Sequence, residues 1–301
     1  MSGASSAAPA ELLRQVRRIE LFSRRLVDSL FAGEYRAVFK GQGVEFAEVR
    51  EYLPGDEVRS IDWNVTARMG RPFVKKYIEE RELTVVLAVD LSGSVWFGSV
   101  RQLKATMAVE LAAVLTLAAV RNNDRIGLLL FSDRVEHVLP PRKGRRQALR
   151  IVRDLLAWRP SGRSTDLAGS LDYLGRLLTH RSVVFLVSDL QAPDVEASLR
   201  RLAQRHDVIV SLIEDPAEWT LPDVGLAWLR DAESGELVEV DTSDPAVRRE
   251  YQERSAADRA ARSQLLRRLG VDEIVCTTER GYLDPLLRFF RSRGERARRR
   301  W

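Results

Sequence analysis

The chain has 301 residues, 45% of them hydrophobic and 30% charged, with a formal net charge of +5. That is the composition of an ordinary soluble protein, long enough to bury a full core in one large domain or one domain plus an extension. A single cysteine, Cys276, excludes an internal disulfide and any cysteine-based zinc cluster. This suits a reducing compartment, with the cytoplasm as the expected location.

The first ten residues, MSGASSAAPA, are small and polar and lack the basic start and apolar core of a signal peptide, so residues 1–10 read as a disordered tail. Residues 11–32 repeat apolar positions at helical spacing (Leu12, Leu13, Val16, Ile19, Leu26, Leu30) among arginines. The pattern predicts a basic amphipathic helix, read as packed on the protein with its arginines solvated rather than lying on a membrane. The longest apolar stretch, Met107 to Val120, contains Glu110 and is too short to span a bilayer, so no membrane span is expected.

From Gly33 to Glu82 short strand-like runs alternate with turns. The alternation in FAEVREY before Pro54-Gly55-Asp56 predicts a strand and a turn. Glu51, Asp56, Arg59, Asp62 and Arg68 crowd around Trp63, which reads as a salt-bridged platform, since the segment has no histidine or nucleophile for acid–base work.

Four later runs are predominantly apolar, as strands buried on both faces are: Val85–Val89, Arg125–Phe131, Ser182–Leu190 and Asp207–Ile213. Helical patterns separate them, from about Val100 to Arg121, about Arg145 to Trp158, from near Leu167 and over 194–205. Glu136 to Leu139 reads as a short antiparallel edge strand. A strand pair near 225–240, a helix over 244–269, a strand over 271–276 and a helix over 283–293 complete the reading. Alternation of this kind predicts a doubly wound α/β fold with a mostly parallel sheet flanked by helices. Residues 11–82 then form an N-terminal helix plus β-rich extension, 83–293 the main domain, and 294–301 a basic tail. The arginines of that tail have few interleaved aromatics, so no specific nucleic-acid partner is expected.

Chemistry begins where the strands end. Asp90, Ser92 and Ser94 follow the first buried run, and oxygen donors at alternate positions of a tight loop suit a hard divalent cation. Asp189 ends a second buried run, and a loop between the two, RPSGRSTD, carries Thr165. A one-residue shift of that loop puts Ser164 or Asp166 in its place. Ser164 or Thr165 can also cap the helix that starts near Leu167. His137, His180 and His206 have no ligand spacing, and Cys276 ends an apolar strand as packing. Asp215 and Glu218, on another strand-end loop, are placed to rim the same crevice, with a turn and a solvated face as their default reading.

The order Arg50, Tyr52, Pro54-Gly55-Asp56, Arg59, Ile61-Asp62-Trp63, Ala67-Arg68 resembles the signature of the bacterial family called domain of unknown function 58. The following strand and loops are similar to a von Willebrand factor A domain with its metal-ion-dependent adhesion site. The resemblance implies that Asp90, Ser92, Ser94, Thr165 and Asp189 form that site. It assigns direct ligation of Mg2+, or of Mn2+ or Ca2+, to the serines and threonine, and ligation through water to the aspartates. It further implies a non-enzymatic adaptor for a MoxR-type AAA+ ATPase or its client, gripping an acidic side chain, in protein maturation or complex assembly. The chain has no phosphate-binding loop of its own. The alternative is a phosphatase-like metal-dependent hydrolase using Asp90 and Asp189, although no lysine stands in the obvious loops to bind phosphate.

Overall fold

Strands apolar on both faces form the centre of the sheet in the computed structural model, which describes residues 45–78, 82–100, 102–162 and 164–298. The tail expected over 1–10 and the helix expected over 11–32 lie outside the described residues. Two compact units divide the described chain, one ending at Leu83 and one beginning at Thr84.

In the smaller unit β1 (Glu45–Glu51) pairs antiparallel with β2 (Phe73–Ile78). Between them lie a 3-10 turn, Val58–Ser60, and the short helix α1 (Trp63–Met69). Asp62 starts α1 by accepting from the backbone N–H groups of Asn64 and Val65, and Gly70, at φ 69°, stops it in the left-handed region. Asp56 accepts two bonds from Arg50, at 2.8 and 2.6 Å, and one from the Leu53 N–H. The signature residues Arg50, Asp56 and Asp62 therefore hold this unit's own turns. Trp63 is not enclosed by the charges around it but 67% exposed. Replacing Asp62 by Ala removes the cap, so thermal melts should show a loss of about 1 kcal/mol with Mn2+ affinity unchanged; a loss of affinity alone would contradict this structural role.

The larger unit is a six-stranded sheet in the order β10-β7-β6-β3-β4-β5. Its strands are β3 (Thr84–Asp90), β4 (Arg125–Phe131), β5 (Val135–Arg142), β6 (Val183–Ser188), β7 (Asp207–Glu214) and β10 (Asp272–Thr277). Every neighbouring pair is parallel except β4 with β5, the expected antiparallel edge. The helices are α2 (Lys104–Arg121), α3 (Arg145–Ala157), α4 (Leu167–Leu177), α5 (Val195–Arg205), α6 (Pro245–Leu269) and α7 (Leu283–Arg298). Val86 and Ala88 of β3 join Leu171 of α4, Leu199 of α5 and Leu266 of α6 in one core layer, while Val85, Leu87 and Val89, pointing the other way, are equally buried. Helices therefore cover both faces, as a buried parallel sheet requires. The expected mostly parallel α/β sheet flanked by helices is the one observed.

Three boundaries differ from the sequence reading. Helix α2 begins at Lys104 rather than near Val100, because a 3-10 turn, Gly93–Trp96, and a loop intervene and the Lys104 N–H is tied to the Phe97 carbonyl at 2.9 Å. Helix α4 is capped by Asp166, which accepts from the Gly169 N–H at 2.9 Å, and not by Ser164 or Thr165. Helix α7 runs to Arg298, so residues 294–298 of the expected tail are helical. A separate antiparallel hairpin, β8 (Leu226–Arg230) with β9 (Leu237–Asp241), occupies the predicted strand pair. Among the described residues no helix is long and apolar enough to cross a membrane.

Candidate metal centre

The chain enters the sheet at β3, winds outward through β4 and β5, then returns to the other side of β3 with β6, β7 and β10. The order reverses between β3 and β6, and such a reversal opens a crevice at the carboxyl ends of the two strands. The carboxylates there are Asp90, last residue of β3, and Asp189, first residue after β6. Both are buried. Asp90 Oδ1 accepts from the Ser92 N–H at 2.9 Å and Oδ2 accepts from the Ser188 hydroxyl at 2.7 Å, a contact that the Val89 to Val187 register of the two strands makes possible. Asp189 Oδ1 accepts from the Gln191 N–H at 3.2 Å. Burial first, and the Asp189 charge second, raise the Asp90 pKa from 3.8 to about 6.

The hydroxyls of Ser92 and Ser94 lie 3.1 Å apart. Two ligands on adjacent corners of an octahedron with magnesium-like bonds of about 2.0–2.1 Å would stand about 3 Å apart, so this pair has the spacing that direct ligation requires. Among the described residues no group of three or more His, Cys, Asp or Glu side chains is arranged to hold a metal, so a cation here depends on hydroxyl donors.

Thr165 reaches the same end of the sheet by a different tether. The Asp166 N–H beside it donates to the Ser132 carbonyl, just beyond β4, at 2.8 Å. Its hydroxyl, however, donates to Glu233 Oε1 at 2.6 Å, in the turn of the β8–β9 hairpin. Hydrogen bonds thus link Asp90 to Ser92 and Ser92 to Ser94, Asp189 is tied to Lys104, and Thr165 faces an acidic side chain.

The sequence reading missed Lys104, Ser188 and Glu233, while Glu218 follows the rim reading rather than the default solvated turn. Lys104 is completely buried. Its ammonium donates to Asp189 Oδ2 at 2.8 Å and to Glu218 Oε1 at 2.5 Å, so the absence of a lysine from the site is corrected. Burial works against the charged ammonium, but the two carboxylates outweigh it and its pKa is raised. Burial likewise opposes the charge on Asp189, yet Lys104 holds its pKa below the ordinary value. Glu218 caps the Asp215 N–H with its other oxygen at 2.9 Å, and Asp215 is buried among the Ser99 N–H and hydroxyl, the Ala217 N–H and the Thr278 hydroxyl. Arg262 of α6 donates to the Asp189 carbonyl at 3.0 Å and pairs with Glu214, fixing the loop from behind. Asp90, Asp189 and Glu218 against Lys104 leave two surplus negative charges, the complement of a divalent cation.

Other reactive side chains have structural partners. His137 stacks on Trp158 and contacts Asp154 at 3.0 Å, His206 is buried with Nδ1 facing the Ser182 N–H, and His180 is exposed. Burial and the nearby Glu214 push the Cys276 thiol up to about 12. A disulfide-exchange reagent at pH 8 should therefore label Cys276 only after denaturation; rapid labelling of the native protein would contradict its burial.

An oxygen-lined crevice at the switch point of a mostly parallel α/β sheet is the class of site this fold defines. The chain belongs to the family described as Protein of unknown function DUF58, whose family model matches residues 48–261. An uncharacterized protein of Mycobacterium bovis is 35% identical over 286 residues, covering 94% of this chain and 90% of its own. Among solved structures, the conserved hypothetical protein BatB of Bacteroides thetaiotaomicron aligns with a TM-score of 0.42 at 17% identity, covering 62% of this chain and 98% of its own. An aerotolerance-related membrane protein of Bacteroides fragilis, carrying mutations to serine, aligns at 0.47 and 15% identity, covering 71% and 99%.

Proposed function

We propose that this chain is a metal-dependent protein-interaction module that binds an acidic side chain of its partner at the crevice formed by Asp90, Ser92, Ser94, Thr165 and Asp189. The observation that carries the reading is the pair of serine hydroxyls at 3.1 Å, between two buried carboxylates at the switch point. Ser92 and Ser94 would ligate the cation, Asp90 and Asp189 would hold its remaining shell, and Thr165 would complete the donor set. A bound divalent cation would supply an electrophilic centre with a coordination position that these five residues leave open, and such a position attracts a further carboxylate. Lys104 keeps Asp189 ionised and oriented, and Ser188 does the same for the far oxygen of Asp90.

The geometry offers less to the hydrolase alternative. Lys104 is committed to two carboxylates rather than open to a phosphate.

The partner implied by the family resemblance is a MoxR-type AAA+ ATPase or its client. The test is capture from lysate of the source cell with immobilised wild type, Ser94→Ala and Thr165→Ala, in magnesium and in EDTA, read by mass spectrometry. Asp189→Ala is avoided, because it removes one of the two carboxylates that hold the buried Lys104. The expected result is an AAA+ ATPase retained only by wild type in magnesium; its retention by all three proteins in EDTA would move the contact away from this site.

A further inference from the structure

We infer that Glu233 is a built-in ligand of the metal face, and that the β8–β9 hairpin is a latch that closes the site until a partner's carboxylate takes its place. The inference rests on the functional reading above and deepens it. It starts from the Thr165–Glu233 hydrogen bond, which puts a carboxylate directly against one of the five proposed donors.

The hairpin is built to hold that carboxylate at its tip and to move. Asp231 accepts from the Glu233 and Ser234 N–H groups and from the Ser234 hydroxyl, and the Glu236 N–H bonds the Ser234 hydroxyl, so the turn is rigid within itself. The remaining polar contacts found for residues 231–236 are also internal to the turn, which leaves the Thr165 contact as the tip's polar tie to the sheet. At the other end the hairpin is anchored. The buried Thr242 donates to the Gly225 carbonyl at 2.7 Å and accepts from the Val224 N–H at 3.0 Å, and Arg248 clamps the Thr242 and Ser243 carbonyls. Between base and tip no residue of either strand is fully buried. The element is an arm fixed at its base, lightly packed along its length and, among the described residues, fastened at its tip by one charge-assisted bond.

A threonine hydroxyl can donate its proton to a carboxylate while its lone pairs remain free. Glu233 can therefore stay on Thr165 whether or not the other lone pairs of that oxygen serve a cation. Because the carboxylate is tethered, its effective concentration at the site is high, and a partner must outcompete it. The fitting partner presents a carboxylate from an exposed turn, as this hairpin does.

Hydrogen exchange of the full chain tests the latch, comparing wild type with Glu233→Ala in EDTA and in Mn2+. The hairpin amides of 226–241 are expected to exchange about tenfold faster in the variant, while β3 and β6 keep their wild-type protection. Equal hairpin exchange in the two proteins under both conditions would overturn the inference, and so would faster exchange spread equally over the whole sheet. A parallel Mn2+ titration of wild type keeps the two ideas apart. Without Mn2+ binding the metal reading fails, while a hairpin difference in EDTA still establishes the latch.

Discussion

Replacing Lys104 by Met should destabilise the sheet domain by about 3–5 kcal/mol, the usual consequence of removing one partner from a buried ion pair. The ammonium is wholly enclosed and serves two carboxylates, of which Asp189 is almost as deeply buried. Methionine fills much of the same volume, so the loss is electrostatic rather than a cavity. Asp189 and Glu218 would be left facing each other without their cation. The double variant Lys104→Met/Glu218→Gln removes one of the stranded charges and should recover about 1–3 kcal/mol of coupling. Urea unfolding followed by circular dichroism measures both. A midpoint for Lys104→Met within error of wild type would show that the carboxylates are solvated and the pair contributes little.

Asp90→Asn should have the opposite sign in metal-free protein. Asp90 titrates at about 6 when folded against an ordinary 3.8, so the folded chain holds this proton more tightly than the unfolded chain does. The associated stability is fully present below about pH 3.8 and is lost as pH rises through 6. At neutral pH the ionised Asp90 thus costs up to about 3 kcal/mol. Asparagine keeps the shape without the charge, and its carbonyl can still accept from the Ser92 N–H. In EDTA at pH 7 the variant should be more stable than wild type, and the difference should shrink as pH falls from 6 towards 4. Adding Mn2+ should raise the wild-type melting temperature and leave that of Asp90→Asn unmoved, because only a species that binds the folded state stabilises it. A variant less stable than wild type at pH 7 in EDTA would contradict the cost of an ionised Asp90 that is buried and stands near Asp189.

The fold was largely legible because its central strands are apolar on both faces, and a run such as Val85–Val89 admits few other readings. Asp90 and Asp189 were legible for a related reason: a carboxylate that closes a buried strand breaks the pattern abruptly. Lys104 was not. It stands 85 residues from Asp189 and 114 from Glu218, and at the start of an apolar helix a lysine reads as a solvated end. The available signal was its rarity, since only five of the 48 basic residues are lysine and the others lie outside long apolar segments. Glu233 was hidden in the same way. In an Asp-Ala-Glu-Ser-Gly turn a glutamate looks like turn chemistry, and nothing local points to Thr165, 68 residues away. For Asp215 and Glu218 the default reading failed because a charged turn is usually exposed, whereas here the buried Lys104 and Thr278, together with Ser99, supply the partners that burial demands.

Titration calorimetry of the full chain with Mn2+, comparing wild type, Ser92→Ala/Ser94→Ala and Asp62→Ala, tests the central claim most directly. The hydroxyl pair is the feature that distinguishes a ligand set from two strand-end carboxylates that merely cap their loops. One saturable site per chain in wild type and in Asp62→Ala, lost in the serine double variant, is the predicted result. No saturable binding to wild type, or equal binding by the serine double variant, would contradict a metal centre at Asp90, Ser92, Ser94, Thr165 and Asp189.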